Sequence, residues 1–272
     1  MDKPFFSVVT ISYNQGAYLP CCLSSVKEQD FPAVEHIVVD PGSCDQSIHL
    51  IHQAIPPVRA ILEPDAGPAD GLNKGFDEAL GDYVLFINAD DSLLPGALSR
   101  AHAVLRQHNW PDLLLLGGIV CREEDGTQSR MFPGSTLGWI QALGLSHFFQ
   151  QGLIIKLRTF RLTRGFNLDN KTCWDVELLH QVASLPNVRV RRARHAIAVF
   201  RIHSSSISGS GRLKEAYHSD LRRIAQTYYG KTVLTARSLL DLFPSPLLRI
   251  MKYLLDPRLC FWMAKASFRP SF

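Results

Sequence analysis

Several things are scarce or missing in this 272-residue sequence. There is no Cys-x-x-Cys pair, and the six cysteines, at 21, 22, 44, 121, 173 and 260, fall in no zinc-ligand spacing with histidine. That argues against a zinc module and against a disulfide framework. No apolar run approaches the roughly 20 residues that cross a bilayer; Leu247–Leu255 is far shorter. The opening stretch MDKPFFSVV has no apolar leader core, so the expectation is a reducing, cytoplasmic compartment. No basic glycine-rich loop follows the first apolar run, because Ser12-Tyr13-Asn14-Gln15-Gly16 carries neither Lys nor Arg. Gly230-Lys231-Thr232 lacks the upstream glycine of a Walker loop, with Ala225 in its place. Base-stacking and groove-reading motifs are missing too, so nucleic acid is not an expected partner. What is present is ordinary: 46% apolar and 20% charged residues exclude a disordered chain, a collagen and a coiled coil.

Charge is unevenly spread. Residues 212–272 carry 11 Lys and Arg against 4 Asp and Glu, a net +7, whereas residues 1–211 carry 18 against 21, a net −3. An acidic body therefore precedes a basic, apolar tail, read as helical and broken at Pro244, Pro246 and Pro257. Over 233–272 its Leu, Phe, Trp262 and Met263 mixed with Lys and Arg suit an anionic membrane surface. A helix packed on the body, or a dimer contact, is the alternative.

The first half alternates two periodicities. Phe5–Ser12, His36–Val39, Val58–Leu62 and Tyr83–Ile87 are short β-rich runs. Helical spacing follows each: Leu19, Cys22, Leu23 and Val26 in 17–28, a segment over 45–54, a stripe of Leu72, Phe76 and Leu80 between Pro68 and Gly81, and a helix from Pro95 to about Gln107. This alternation predicts an α/β fold with a mostly parallel central sheet flanked by helices. Later come a strand or strand pair at Leu113–Cys121, a helix at Thr136–Leu145, a strand at Leu153–Lys156, a helix at Asp175–Ser184 and one or two strands in Val188–Phe200. Ser204–Gly211 is flexible by composition, a lid or a linker.

Ligands of such sheets bind at the carboxyl ends of strands, and acids collect there. Asp40 ends the second strand, Glu63-Pro64-Asp65 the third, and Asn88-Ala89-Asp90-Asp91 the fourth. Adjacent carboxylates need compensation, which a hard divalent cation bridging to phosphates would supply. Alternatively Asp91 or Ser92 caps the following helix. Asp40 is either a ribose or base ligand or a turn residue of the Asp-Pro-Gly-Ser bend.

Taken in order, Ser7–Asn14 (SVVTISYN), Ser25–Gln29 (SVKEQ), Glu35–Ser43 (EHIVVDPGS) with Asp45, Glu63–Gly75 (EPDAGPADGLNKG) and Ala79–Asp91 (ALGDYVLFINADD) closely resemble the inverting glycosyltransferases of family two. The likeness is strong over about 5–110 and weaker to about 205. It implies the GT-A fold, with a Rossmann-like donor half at 1–110, an acceptor half at 111–211 and the helical tail at 212–272. It also implies a nucleotide-diphosphate sugar donor, Mg²⁺ or Mn²⁺ as cofactor, and a saccharide or lipid-linked saccharide acceptor, as in cell-surface polysaccharide assembly on the inner face of the membrane. By resemblance Tyr13 lies near the nucleobase, Asp40 at the base or ribose, and Asp70, Asn73 and Lys74 beneath the diphosphate. Asn88 replaces the usual first Asp of the metal motif, leaving Asp90 and Asp91 as metal and phosphate contacts. His203 matches a histidine near the diphosphate or metal, or else ends a strand at the surface. Gln150 and Gln151 match a glutamine before the acceptor-side strand, with packing as the other reading.

Cys173-Trp174-Asp175-Val176-Glu177-Leu178, after Gly165-Phe166-Asn167, resembles the family's acidic motif at a helix start and makes Asp175 the catalytic base. Glu177 is the alternative base, though two residues on it points well away from Asp175. Trp174 would stack on a sugar or fill the core. Two competing functions remain from the residues alone: a nucleotidyltransferase that makes the activated sugar, and a catalytically silent sugar-nucleotide-binding module.

Overall fold

The computed structural model describes residues 3–54, 58–133, 148–210 and 212–229. The chain divides into two compact units, residues 1–133 with 148–217, and residues 134–147 with 218–272. Of the second unit the described residues are 218–229, which are helical. The helix expected at Thr136–Leu145 and the tail at 233–272 lie outside the described residues.

In the first unit, β1 (Phe6–Ile11), β2 (Val34–Val39), β3 (Val58–Ile61) and β4 (Tyr83–Asn88) alternate with α1 (Leu19–Lys27), α2 (Ser47–Gln53) and α3 (Pro68–Asp77). The four strands are parallel in the order β3-β2-β1-β4. Ile11 pairs with Val39 on one side and with Asn88 on the other, so the carboxyl ends of three strands finish level. Their β-branched content and their near-complete burial belong together, because helices cover both faces of a parallel sheet. The sequence expectation of an α/β fold holds.

The sheet continues through β8 (Leu153–Lys156), β6 (Leu113–Arg122), β9 (Val190–Ile202) and β5 (Ser92–Leu93), with β7 (Gln128–Met131) on β6. β8 is antiparallel to both β4 and β6, and β9 runs parallel to β6. The remaining helices are α4 (Ala97–Gln107), α5 (Leu157–Phe160), α6 (Trp174–Ser184), α7 (Ile207–Ser210) and α8 (Lys214–Tyr229). Leu113–Arg122 is one strand rather than two, and Val190–Ile202 likewise. β5 and β7 carry no apolar alternation long enough to see in sequence.

One face of the sheet buries Val8, Leu85 and Ile87 with Cys22, Val26, Leu98 and Leu105. On the other face Phe76, Phe86, Phe160 and Phe166 form an aromatic cluster with ring centroids 4.5–6.1 Å apart, which fastens α3 and the 163–167 loop to the sheet. α3 lies against β1 so closely that a Cβ at Gly75 would collide with Val9 Cγ1. We expect Gly75→Ala to destabilise the fold by about 1–3 kcal/mol through overpacking, seen as a lower urea midpoint at unchanged slope.

Two local expectations are corrected. α3 stops at Asp77, short of Gly81, and Leu80 is 55% exposed rather than part of the buried stripe. The cause is Glu35, whose Oε1 accepts the amides of Leu80 (2.6 Å) and Gly81 (3.2 Å) and draws the chain off the helix. The Ser/Gly segment 204–211, expected to be flexible, is instead tied down over its described part: the Ser206 hydroxyl bonds the His203 carbonyl at 2.9 Å and accepts the Gly209 amide at 3.0 Å as α7 begins.

Candidate active site

At the carboxyl edge of β1, β2 and β4 the chain encloses a cavity of about 560 Å³. Tyr13, Pro41, Gly42, Asp65, Gly67, Asn88, Ala89 and Asp90 line it from the first half; Trp174, Phe200, Ser205, Ser206 and Arg212 do so from the second. The loops behind this wall are stapled together. Asn14, in the left-handed region at φ 52°, donates its amide to Ser43 Oγ (2.7 Å) and accepts the Cys44 amide on Oδ1 (2.8 Å). The amide of Gly16 donates to Asp45 Oδ2 at 2.8 Å. Residues expected from the sequence to touch a ligand thus divide into those that face the cavity and those that build its wall.

Asp40 is a wall residue. It is fully buried; Oδ1 accepts the Gly42 and Ser43 amides (3.0 and 2.7 Å) and Oδ2 the Ser43 hydroxyl (2.7 Å). Its carboxylate folds the bend that brings Pro41 and Gly42 to the cavity. Asp70 and Lys74 act similarly on the next loop: Asp70 Oδ2 accepts the Ala66 amide (2.9 Å), and Lys74 Nζ donates to the Pro64 carbonyl (2.6 Å). Gly67, at φ 115°, turns this loop into α3, with Pro68 opening the helix. Asn73 does not line the cavity; its amide group clamps the backbone of Phe166 with two bonds of 2.8 Å. Tyr13 does line it and is 59% exposed.

The Asn88–Asp91 turn separates its two acids. Asp90 faces the cavity, and its Oδ2 lies 3.0 Å from His203 Nε2. His203 is buried; its Nδ1 lies 2.8 Å from Ser205 Oγ, and its ring sits 4.5 Å from that of Tyr18. Asp91 is buried and committed elsewhere: it accepts Gln151 Nε2 (2.7 Å), Asn88 Nδ2 (3.2 Å) and the Arg201 amide (3.0 Å). Burial, and then the charge of Asp90, push its carboxyl well above the usual range. Gln151 is thus a partner of Asp91, and Gln150 donates to the Phe86 carbonyl at 2.9 Å. Arg201 braces the same turn, donating from Nε to the Asp90 carbonyl (3.0 Å) and pairing with Glu123 (3.0 Å).

The Asp90–His203 pair suits a divalent cation. The two side chains are in direct hydrogen-bond contact at 3.0 Å, about the spacing of adjacent ligands of an octahedral ion with bonds near 2.1 Å. A carboxylate with an imidazole suits Mn²⁺ better than Mg²⁺, and Ser205 fixes the histidine ring from behind. Among the described residues no group of three or more His, Cys, Asp or Glu side chains is placed to hold a metal ion, so this pair would supply two ligands only.

Asp175 sits in the first turn of α6; its neighbour Trp174 lines the cavity, whereas Asp175 itself is not among the lining residues. Burial raises its carboxyl from the ordinary 3.8 to about 6, partly offset by the amides of Val176 and Asp175 itself. Glu177 is different: it is buried, and its two oxygens accept Asn167 Nδ2 (2.9 Å) and Asn170 Nδ2 (2.8 Å). It holds the loop that leads into the helix. The sequence reading missed Arg212, Ser205 and Ser206 in the lining, together with the brace made by Tyr18, Glu123 and Arg201. Arg212 had a signal, as the first charge after the Ser/Gly run; the brace joins residues up to 183 positions apart and had none.

Known proteins resemble this chain in sequence and in fold. The sequence model of glycosyl transferase family 2 matches residues 7–162. A "PGL/p-HBAD biosynthesis glycosyltransferase" of Mycobacterium bovis is 35% identical over 127 residues, which are 45% of this chain and 49% of the relative, so the chain spans about half of that relative's length. Among solved structures, residues 1–349 of S. aureus TarS in complex with UDP-GlcNAc superpose with a TM-score of 0.65 at 23% identity, over 81% of this chain and 65% of that TarS fragment. The mannosyltransferase PcManGT from Pyrobaculum calidifontis, in complex with GDP-Man and Mn²⁺, superposes with a TM-score of 0.61 at 18% identity, over 100% of this chain and 77% of PcManGT. Those two likenesses give the fold, GT-A, and the family match covering more than half of the sequence gives the lineage: the chain belongs to glycosyl transferase family 2.

Proposed function

We propose that the chain is an inverting glycosyltransferase that moves a sugar from a nucleotide-diphosphate donor to a hydroxyl of a saccharide or lipid-linked saccharide, in cell-surface polysaccharide assembly. The observation that carries this reading is the Asp90–His203 pair, 3.0 Å apart at a cavity formed by the carboxyl ends of parallel strands. The nucleotide sugars in TarS and PcManGT, and the Mn²⁺ of PcManGT, support it. Residues 1–110 would form the donor half and 111–211 the acceptor half, with the tail over 233–272 on an anionic membrane surface.

In this reading the exposed Tyr13 stacks on the nucleobase, and the bend built by Asp40 presents Pro41 and Gly42 to the nucleoside. Asp90 and His203 would hold the divalent cation, which when bound neutralises charge on the diphosphate. Among the described residues Arg212 is the Lys or Arg that lines the cavity, and it offsets charge on the departing group. Lys74 and Asp70 keep the 64–67 loop in place beneath it. Asp175 accepts the proton of the acceptor hydroxyl as that oxygen attacks the anomeric carbon and the nucleotide diphosphate leaves. A base with a pKa near 6 is largely ionised at neutral pH yet still basic enough to take a proton in the transition state.

A panel of nucleotide sugars, scored by nucleotide diphosphate release with a saccharide acceptor, tests the reading. We expect release with one donor, dependent on Mn²⁺, and an acid limb near pH 6: protonated Asp175 cannot act as base, so kcat falls about tenfold per pH unit below that value. No release with any donor would overturn the transferase assignment. A flat profile between pH 5 and 8 would remove Asp175 from the base role.

A further inference from the structure

A second cavity, of about 650 Å³, lies at the opposite edge of the sheet, where β1 and β4 begin. Lys3, Lys156, Arg158 and Arg161 line it, with Asp82 as the one acid of the lining. Behind them Asp112 is shared by three cations, none in direct hydrogen-bond contact through its charged group: Lys156 Nζ at 3.8 Å, Arg158 at 3.9 Å and Arg189 at 3.9 Å. Lys3 pairs directly with Asp82 at 2.5 Å, which leaves Lys156, Arg158 and Arg161 as the lining cations, with Arg189 beside Asp112 outside the lining. Lys156 is only 15% exposed there, donating to the Trp110 carbonyl at 2.9 Å above the Tyr83 ring. Burial, and then the neighbouring Arg158, push its pKa down, while Asp112 opposes the shift. Two exposed leucines belong to this region of the chain: Leu80 lines the cavity at 55% exposure, and Leu162, at 70%, is the next residue in sequence after the lining Arg161.

We infer that this cleft receives the phosphate of an anionic lipid headgroup, with Leu80 and Leu162 against the apolar part of the membrane interface. Cations beside exposed leucines fit a phosphate carried on an apolar body better than a free anion. The six residues of β1 separate this edge from the donor cavity by about 20 Å, so a lipid here leaves the candidate active site open. The inference does not depend on the transferase reading.

The full chain would be co-sedimented with phosphatidylcholine vesicles with and without phosphatidylglycerol at low salt. We expect binding only with phosphatidylglycerol. The double variant Arg158→Glu, Arg161→Glu, both in the cleft lining, should bind about tenfold more weakly. Arg106→Glu with Arg130→Glu, an equal change of net charge at exposed positions outside the cleft, should change binding less than about twofold. Urea midpoints check folding, and Arg158→Gln with Arg161→Gln replaces the reversal if it unfolds. Equal weakening by both pairs, or no weakening by the cleft pair, overturns the inference. So does a thermal shift from inorganic phosphate that the cleft variant loses while its vesicle binding is unchanged, since the ligand is then a free anion. Nucleotide diphosphate release without vesicles should be the same in all of these variants, so failure here is distinct from failure of the transferase reading.

Discussion

Asp175→Asn is expected to lower turnover by roughly 10²–10⁴-fold, the usual contribution of a positioned base, while the affinity for the nucleotide-sugar donor stays within about twofold. Asparagine keeps the shape of the side chain and removes its ability to take a proton. The acid limb near pH 6 should vanish from the residual rate. Stability should move the other way. Burial raises the Asp175 pKa from 3.8 to about 6 in the folded chain, so the folded state binds the proton more tightly than the unfolded one. Its contribution is favourable below about pH 4 and is lost as pH rises through about 6. At pH 7 the asparagine variant should therefore melt at a higher temperature than the parent. Wild-type turnover in this variant would remove Asp175 from the mechanism, and a lower melting temperature would show that the carboxylate is structural.

The second large effect is expected at Asp90. Asp90→Asn removes the charge of the one acid of the turn that faces the cavity and leaves His203 Nε2 beside a neutral amide. Turnover should fall about 10²–10³-fold, the scale of losing a charge-stabilising contact in the transition state, and the response to Mn²⁺ should flatten. Titration calorimetry of the nucleotide diphosphate with and without Mn²⁺ is the direct check, with a loss of metal-dependent affinity as the expected result. Asp91→Asn is the informative companion. Its oxygens hold Gln151, Asn88 and the Arg201 amide, so its replacement should lower the urea midpoint and leave the Mn²⁺ dependence in place. The reverse outcome, with Asp91 governing the metal response, would mean that the turn rearranges on binding.

Much of this was legible before any coordinates. The alternation of β-branched runs with helical stripes gave α1 to α4 and β1 to β4 because each segment's periodicity is local, and Gly67-Pro68 marked the start of α3 by turn chemistry alone. β5 was invisible: two residues, Ser92 and Leu93, pair with Ala198 and Val199 more than a hundred positions away. The end of α3 was misplaced for a similar reason, since the carboxylate that captures the Leu80 and Gly81 amides comes from Glu35.

The sequence by itself determined the succession of elements and the placing of acids after strands, because periodicity and turn residues act between near neighbours. Which of those acids face the cavity was decided only by tertiary structure. Asp40, Asp91 and Glu177 each find buried donors that consume their oxygens, whereas Asp90 meets His203, 113 residues away, on the open side of the turn. A carboxylate's role depends on which donors reach it first, and those donors arrive from distant parts of the chain only when the sheet is assembled.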